Sequence, residues 1–282
     1  MTQKYIRQVK ATFSGASSLV VTELKIAFDV AKSISGVPNE GKVQIWNLSK
    51  DHRNAIGKEF DRLTLEAGYV QTGMGVILKG SIREVYHDRD EVDIISEVSV
   101  GDGDEADRTG IVAKTWPRGT KIKDIVQDIY RESMPGVSLG ELKGLDDLPD
   151  TRRPVTIVGG PRRAMDMLGR THKFNWSWQN ETLETIPHDG YLNQIAYVSA
   201  QTGMVGVPTV TDRGITFQAL LDAAIRPNRL VMVQSEVLDM NDGSGLFRVN
   251  NVGYHGDNGV GGDGDFLVEA ECERVSGGKV TG

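Results

Sequence analysis

One motif occurs twice in this chain, and the pair limits what the chain can fold into. The first copy runs LSKDHRNAIGKEFDRLTLEAGY, GVILKGSIREVYHDRD and EVDIISEVSV. The second runs TFQALLDAAIRPNRLVMVQSEVL, GLFRVNNVGYHGD and DFLVEAECERV. Each copy reads as a short helix, a strand, a strand ending in Tyr-His and a closing strand. Tyr86-His87 and Tyr254-His255 match at an offset of 168 (255 − 87), and Leu63 and Leu230 at 167 (230 − 63). Two β-rich copies around a different middle indicate a builder of symmetric assemblies, not a fold wrapped around one active site.

Composition narrows the field. A chain of 282 residues has room for two or three domains. Its 33 Gly and 9 Pro, without a short Gly period, point to turns and bulges in β structure. No apolar run reaches the roughly 18 residues that span a bilayer. The start, MTQKYIRQVKATFSG, lacks the apolar core of a signal peptide, so synthesis in a cytoplasm is the expectation. The single cysteine, Cys272, excludes an intrachain disulfide and a cysteine-rich zinc site, and its alternating surroundings make it a strand residue. A net charge of −7 disfavours nucleic-acid binding, which depends on Lys and Arg neutralising phosphates.

Along the chain the pattern changes twice. Residues 1–47 read as strands, with alternation around LKIAFDV and VQIWNL. Ser49 reads as an N-cap for a helix over Lys50–Phe60. Gly80, inside the long GVILKGSIREVYHD strand, suggests a bulge or bend. GDGDEADRTG at 101–110 reads as a polar linker or loop. Residues 121–132 place Ile122, Ile125, Val126 and Ile129 at helical spacing. PGVSLGELKGLDDLPD reads as a turn region, VTIV as a strand and Pro161–His172 as a helix. NWSWQNETLETI reads as a hairpin around Asn180-Glu181. The second copy then predicts a helix over Phe217–Ala224, ending before Pro227. The expected division is 1–108, 109–192, 193–276 and a tail at 277–282. The fold class is α+β, mainly β: two similar β-barrel or sandwich domains flanking a small α+β insertion.

Several groups could carry chemistry, and each has a plainer explanation. His52, His87, His172, His188 and His255 show no HExxH or His-x-His spacing. Asp102, Asp104 and Asp107, and Asp257, Asp263 and Asp265, lie in acidic Gly-rich segments that could offer oxygens to Ca²⁺. Neither segment has EF-hand spacing, so solvated hairpin tips are expected. Gly159-Gly160-Pro161-Arg162-Arg163 lies between a strand and a helix, where phosphate could bind, but it lacks either Gly-rich phosphate-loop signature and Pro161 removes a donor. Trp176 and Trp178 share one face of a strand and could stack sugars, yet a small insertion needs large side chains for its core. Glu132, Glu181 and Glu184 offer carboxylates that nothing in the sequence pairs for glycoside hydrolysis. No catalytic, cofactor-binding or metal-ligating residue is therefore assigned, and no cofactor is expected.

The segment QTGMVGVPTVTDRGITFQALLDAAIRPNRLVMVQS followed by GLFRVNNVGYHGD resembles the C-terminal part of baseplate hub proteins of tailed bacteriophages. The residues that carry the resemblance are Thr202, Gly203, Gly206, Pro208, Gly214, Leu220, Leu221, Pro227, His255, Gly256 and Asp257. IWNLS, LEAGY and the following strand are similar to the N-terminal half of the family. AKTWPRGTKIKDIVQDIYRE resembles its LysM-like insert. LLDAAIRPN departs from the family's commoner Leu-Leu-(Asn/Asp)-Pro. The resemblance implies a virion structural protein, not an enzyme. It implies a homotrimer with two tail tube-like domains per chain, adapting a hexameric tail tube to a trimeric spike or tip protein. Other implied neighbours are a distal tail protein, the tape measure and baseplate wedge proteins. DNA would pass through a channel without specific binding, and nothing would insert in a membrane. The rival reading is a peptidoglycan-binding or lytic tail module; a cleft enzyme is a third, with no residue to nominate.

Overall fold

A computed structural model of the protein describes residues 6–238, 244–259 and 264–275. The first segment forms β1 (Arg7–Gly15), β2 (Ser18–Val21), β3 (Ile26–Ser33), β4 (Asn39–Trp46), α1 (Lys50–Ala55), β5 (Phe60–Tyr69), β6 (Gly73–Asp90) and β7 (Asp93–Asp102). The middle forms α2 (Asp104–Thr109), β8 (Val112–Trp116), α3 (Ile122–Ser133), β9 (Ser138–Leu142), β10 (Val155–Gly159), α4 (Pro161–His172), β11 (Phe174–Trp178) and β12 (Thr182–Pro187). The last segment forms β13 (Leu192–Val198), β14 (Met204–Val210), β15 (Gly214–Leu220), β16 (Arg229–Val233), β17 (Leu246–Asp257) and β18 (Phe266–Arg274). The fold is mainly β, as the sequence indicates.

The flanking segments share one sheet. Its order is β14-β15-β18-β17-β3-β4-β7-β6-β5-β1-β2, with β16 added to β17 and β13 to β16. Alternation explains why these strands form. In β3, Ile26, Phe28 and Val30 are buried while Asp29 and Ala31 are exposed. In β18, Phe266, Val268, Ala270 and Cys272 are buried, with Glu269 and Glu271 on the other face. One apolar cluster draws on both segments, including Phe13, Leu63, Leu65, Phe247 and Tyr254.

The repeat survives in the pairing, with two corrections. β4-β7-β6-β5 corresponds to β15-β18-β17-β16. In β6 an extra residue at Arg83 breaks register with β7; in β17 an extra residue at Asn250 breaks register with β18. Ser81 lies between Arg62 and Gly101, as Arg248 lies between Leu230 and Glu273. These anchors put β6 and β17 at an offset of 167 (248 − 81), and β5 and β16 at 168 (230 − 62). The two offsets are the reverse of those suggested by the Tyr-His and Leu matches. His87 is equivalent to Tyr254, and Leu63 to Val231. The expected helix over Phe217–Ala224 is absent. Ile215, Phe217 and Ala219 are buried at period two in β15, and the chain turns where Ile225 N–H donates to Asp222 O at 3.1 Å. Seven pairings with β18 outweigh the helix preference of Leu and Ala there.

The first helix is shorter than expected. Ser49 caps it, its Oγ accepting from His52 N–H at 3.2 Å, but Ile56 is extended and Gly57 turns back at φ 79°. Phe60 already belongs to β5. Gly80 marks no bulge; it marks close approach, since a Cβ there would lie 2.3 Å from the Gly101 carbonyl oxygen. Residues 101–110 are not a free linker, because they contain α2. The turn region after α3 contains β9, which pairs parallel with β12.

The middle has its own core. α3 contributes Ile122, Ile125, Val126 and Ile129, and α4 contributes Ala164, Met165 and Leu168, against Trp116, Phe174, Trp176 and Trp178. α3 and α4 hold the expected positions, and β11–β12 is the expected hairpin, with Asn180 and Glu181 both at φ 56°.

Candidate interaction surfaces

Two places stand out: a buried polar clamp that fixes the middle to the sheet, and a pair of uncovered strand edges. The clamp centres on Asp102, at the end of β7. Its Oδ1 accepts from Glu181 N–H at 2.6 Å, and its Oδ2 from Asn180 N–H at 2.7 Å and Asn39 Nδ2 at 3.2 Å. Lys32 Nζ lies 3.8 Å from the same carboxylate and donates to Asn180 Oδ1 at 2.5 Å. Burial pushes the Lys32 ammonium down to about 8, partly offset by Asp102. Arg62 of β5 pairs with both Glu181 and Glu105. Burial raises the Glu181 carboxyl, while Arg62 and Lys79 oppose that shift. The hairpin turn at 180–181 is thus bonded to strands β3, β5, β6 and β7.

A second buried pair ties the middle to the last segment. Arg229 holds Glu184 through both carboxylate oxygens, and Asn228 Nδ2 donates to Glu184 Oε2 at 2.9 Å and to Ser177 Oγ at 3.1 Å. Arg248 Nη1 donates to the carbonyls of His188 at 2.7 Å and Gly190 at 3.0 Å. Trp176 and Trp178 lie edge to face, 4.8 Å apart and both buried, with Trp176 Nε1 donating to Asp166 Oδ1 at 3.0 Å. They pack close under Gly36 and Gly103, where a Cβ would strike their rings. They therefore offer no exposed stacking face for a sugar.

The other nominated groups have ordinary partners. Glu132 pairs with Lys114. Asp104 pairs with Arg83 at 2.9 Å, and Asp107 with Arg162 at 3.1 Å. Asp102 and Asp104 are buried, so this segment is not a solvated hairpin tip. Asp257 Oδ1 is 3.4 Å from Arg7 Nη1, and Asp263 lies outside the described residues. Among the described residues, no three His, Cys, Asp or Glu are grouped to hold a metal. His87 Nδ1 is 3.0 Å from Ser96 Oγ. Burial lowers the basicity of His172 and raises the Cys272 thiol out of the reactive range. Pro161 begins α4 at the Gly159-Gly160 turn, with Arg163 exposed.

Strand edges of the two repeats are contact surfaces that the sequence suggests without naming a residue. β17 is covered by β3, which pairs antiparallel along Asn251–Asp257. The junction is packed like a core: Phe28 lies edge-on to Phe266 at 5.8 Å, and Tyr69 to Phe266 at 5.2 Å. The equivalent half of β6, beyond Ser81, pairs only with β7. Residues 86–92 there are all exposed, Tyr86 at 64%. β14, the counterpart of β3, pairs only with β15 and leaves Val205, Val207 and Val210 exposed. Beside it runs an apolar groove of about 1070 Å³, floored by Phe217, Val252 and Ala270.

The family model described as "Baseplate hub gp41" matches residues 6–272. The chain belongs to that family. It is a structural protein of the phage tail, and the hub's place is the virion. Solved structures share its fold at low identity. The 43 kDa tail protein of prophage MuSo2 from Shewanella oneidensis aligns with TM-score 0.64 and 10% identity, covering 96% of the hub and 98% of that chain. A tail protein from Neisseria meningitidis MC58 gives 0.62 at 9% identity, covering 96% and 97%. The E. coli c3393 protein is a type VI secretion component described as structurally similar to T4 tail proteins gp27 and gp5. It gives 0.62 at 12% identity, covering 89% of the hub and 74% of that chain. No curated protein matches the sequence. Among the described residues, no helix of the hub is long and apolar enough to cross a membrane.

Proposed function

We propose that the hub works as a homotrimer that adapts a hexameric tail tube to a trimeric spike or tip protein. The observation that carries this reading is the repeat within the sheet: β4-β7-β6-β5 recurs as β15-β18-β17-β16. Two similar units per chain give six similar positions in a ring of three. The units are taken as 1–108 and 193–276, with 109–192, LysM-like by its sequence, as the insertion between them. One face of the ring meets the tube or a distal tail protein, and the other meets the spike. Tape measure and wedge proteins are further neighbours. The ring encloses a channel for DNA, and three chains of −7 carry −21, which keeps DNA from adhering.

Native mass spectrometry of the full chain tests the central step. A species of three times 30.8 kDa is expected. A protein that is monomeric at every concentration, or that closes as a dimer, would overturn the reading.

A further inference from the structure

The chain already contains one junction between its two units, and that junction shows how the missing one is built. Within the chain, β3 of the first unit covers the outer half of β17 of the second. The pairing rows identify the counterparts residue by residue. Across the first unit one row runs Ile82, Val100, Gly41, Val30. Across the second the same row runs Val249, Cys272, Ile215, Val210. Both rows begin next to the extra residue, Arg83 in one strand and Asn250 in the other. Val210 is therefore the counterpart of Val30. Five residues beyond Ile82 and Val249 lie His87 and Tyr254, which are also counterparts.

Val30 pairs with Tyr254 inside the chain, and both are buried, at 0% and 1% exposure. Their counterparts, Val210 and His87, are both exposed, Val210 at 49%. The two residues with no strand on their outer side are thus the two that symmetry would pair. An apolar strand edge left open in this way is a hazard unless something covers it. Pro208 and Gly206 fall where β14 slips register against β15, so its edge is continuous only on either side of that point.

We infer that β14 of one copy pairs antiparallel with the outer half of β6 in the next copy, with Val210 opposite His87 and Thr209 opposite Asp88. The partner is a second copy of this chain, and the inference rests on the trimeric reading above. The contact repeats the β3–β17 junction between chains, so inner and outer junctions alternate around the ring. It also selects among open edges: β2 has no equivalent strand in the second unit, and β13 runs parallel to β16 where β1 runs antiparallel to β5, so both are left out of the ring contact.

Cysteine pairs read the register directly. Residues facing each other on antiparallel strands have Cα atoms about 4.5 or 5.5 Å apart, within disulfide reach. A shift of two residues adds roughly 7 Å and breaks that reach. The full-length variant H87C/V210C, mildly oxidised, is compared with V85C/V210C on non-reducing gels, and native mass spectrometry reports the oligomer separately. Both H87C and V210C lie on exposed residues, and buried Cys272 stays out of the exchange. The expected result is a covalent trimer from H87C/V210C, with roughly tenfold less cross-linking in V85C/V210C. A trimer by mass that does not cross-link through H87C/V210C, or that cross-links better through V85C/V210C, overturns this pairing and leaves the trimer standing. A protein that remains monomeric overturns both.

Discussion

At the residue scale, the buried charges decide how firmly the insertion is held. Asp102 accepts three hydrogen bonds besides its contact with Lys32, so removing it strands two backbone N–H groups and a buried ammonium. Asp102→Ala is expected to cost about 3–5 kcal/mol in urea unfolding. Lys32→Met should cost much less, because Asp102 keeps its three donors. The pH dependence separates the two partners further. An unfolded Lys32 holds its proton up to about 10.5, and the folded one releases it near 8. Between those values the unfolded chain binds more protons, so this group's contribution to stability rises with pH across that window. Below about 8 its burial penalty is felt in full. Lys32→Met should therefore flatten the stability profile between pH 8 and 10 relative to wild type; an unchanged slope would refute the assignment. The position was readable in the sequence, since Lys32 continues the Ile26, Phe28, Val30 face of β3. Its partners were not, because 70 residues separate Lys32 from Asp102 and 148 separate it from Asn180, with no local pattern to link them.

At the element scale, local signals succeeded where they agreed with packing and failed where the sheet overruled them. α3 and α4 have apolar stripes at helical spacing, and each folded as its stripe indicates. Phe217–Leu220 contains good helix formers, yet the same residues also alternate, and pairing with β18 selected the strand. The polar stretch at 101–110 hides α2 for the opposite reason. Its one apolar residue, Ala106, is fully buried against the insertion core, too little for periodicity to register. Strand edges of the two repeats are where the sequence points for contacts, but which of them stay open was illegible, because openness is a property of the assembled sheet. Gly80 shows how tightly two of its strands meet. A Cβ there would press on the Gly101 backbone, which cannot rotate aside. Gly80→Ala should cost about 1–3 kcal/mol and lower the melting temperature by several degrees. Calorimetry showing no loss would mean that β6 and β7 separate more freely than their ladder indicates.

At the scale of the whole molecule, the two halves are alike in pairing and unlike in exposure, and that difference is what assembly must remove. The outer half of β17 is sealed by β3 and backed by Phe28, Tyr69 and Phe266. The outer half of β6 has β7 on one side and solvent on the other. Amide hydrogen exchange reports this imbalance, because protection follows the stability of the local hydrogen bonds. In the dilute free chain, amides across 251–257 should exchange far more slowly than those across 84–90. In the trimer the second group should slow toward the first, and amides of β14 should slow with it, while those of β2 keep their rate. Slowing confined to β2 or β13 would place the chain-to-chain contact at the wrong edge. No slowing anywhere in β6 on assembly would mean that the ring closes through the insertion, and that the likeness of the two units serves the contacts above and below the ring instead of the contact around it.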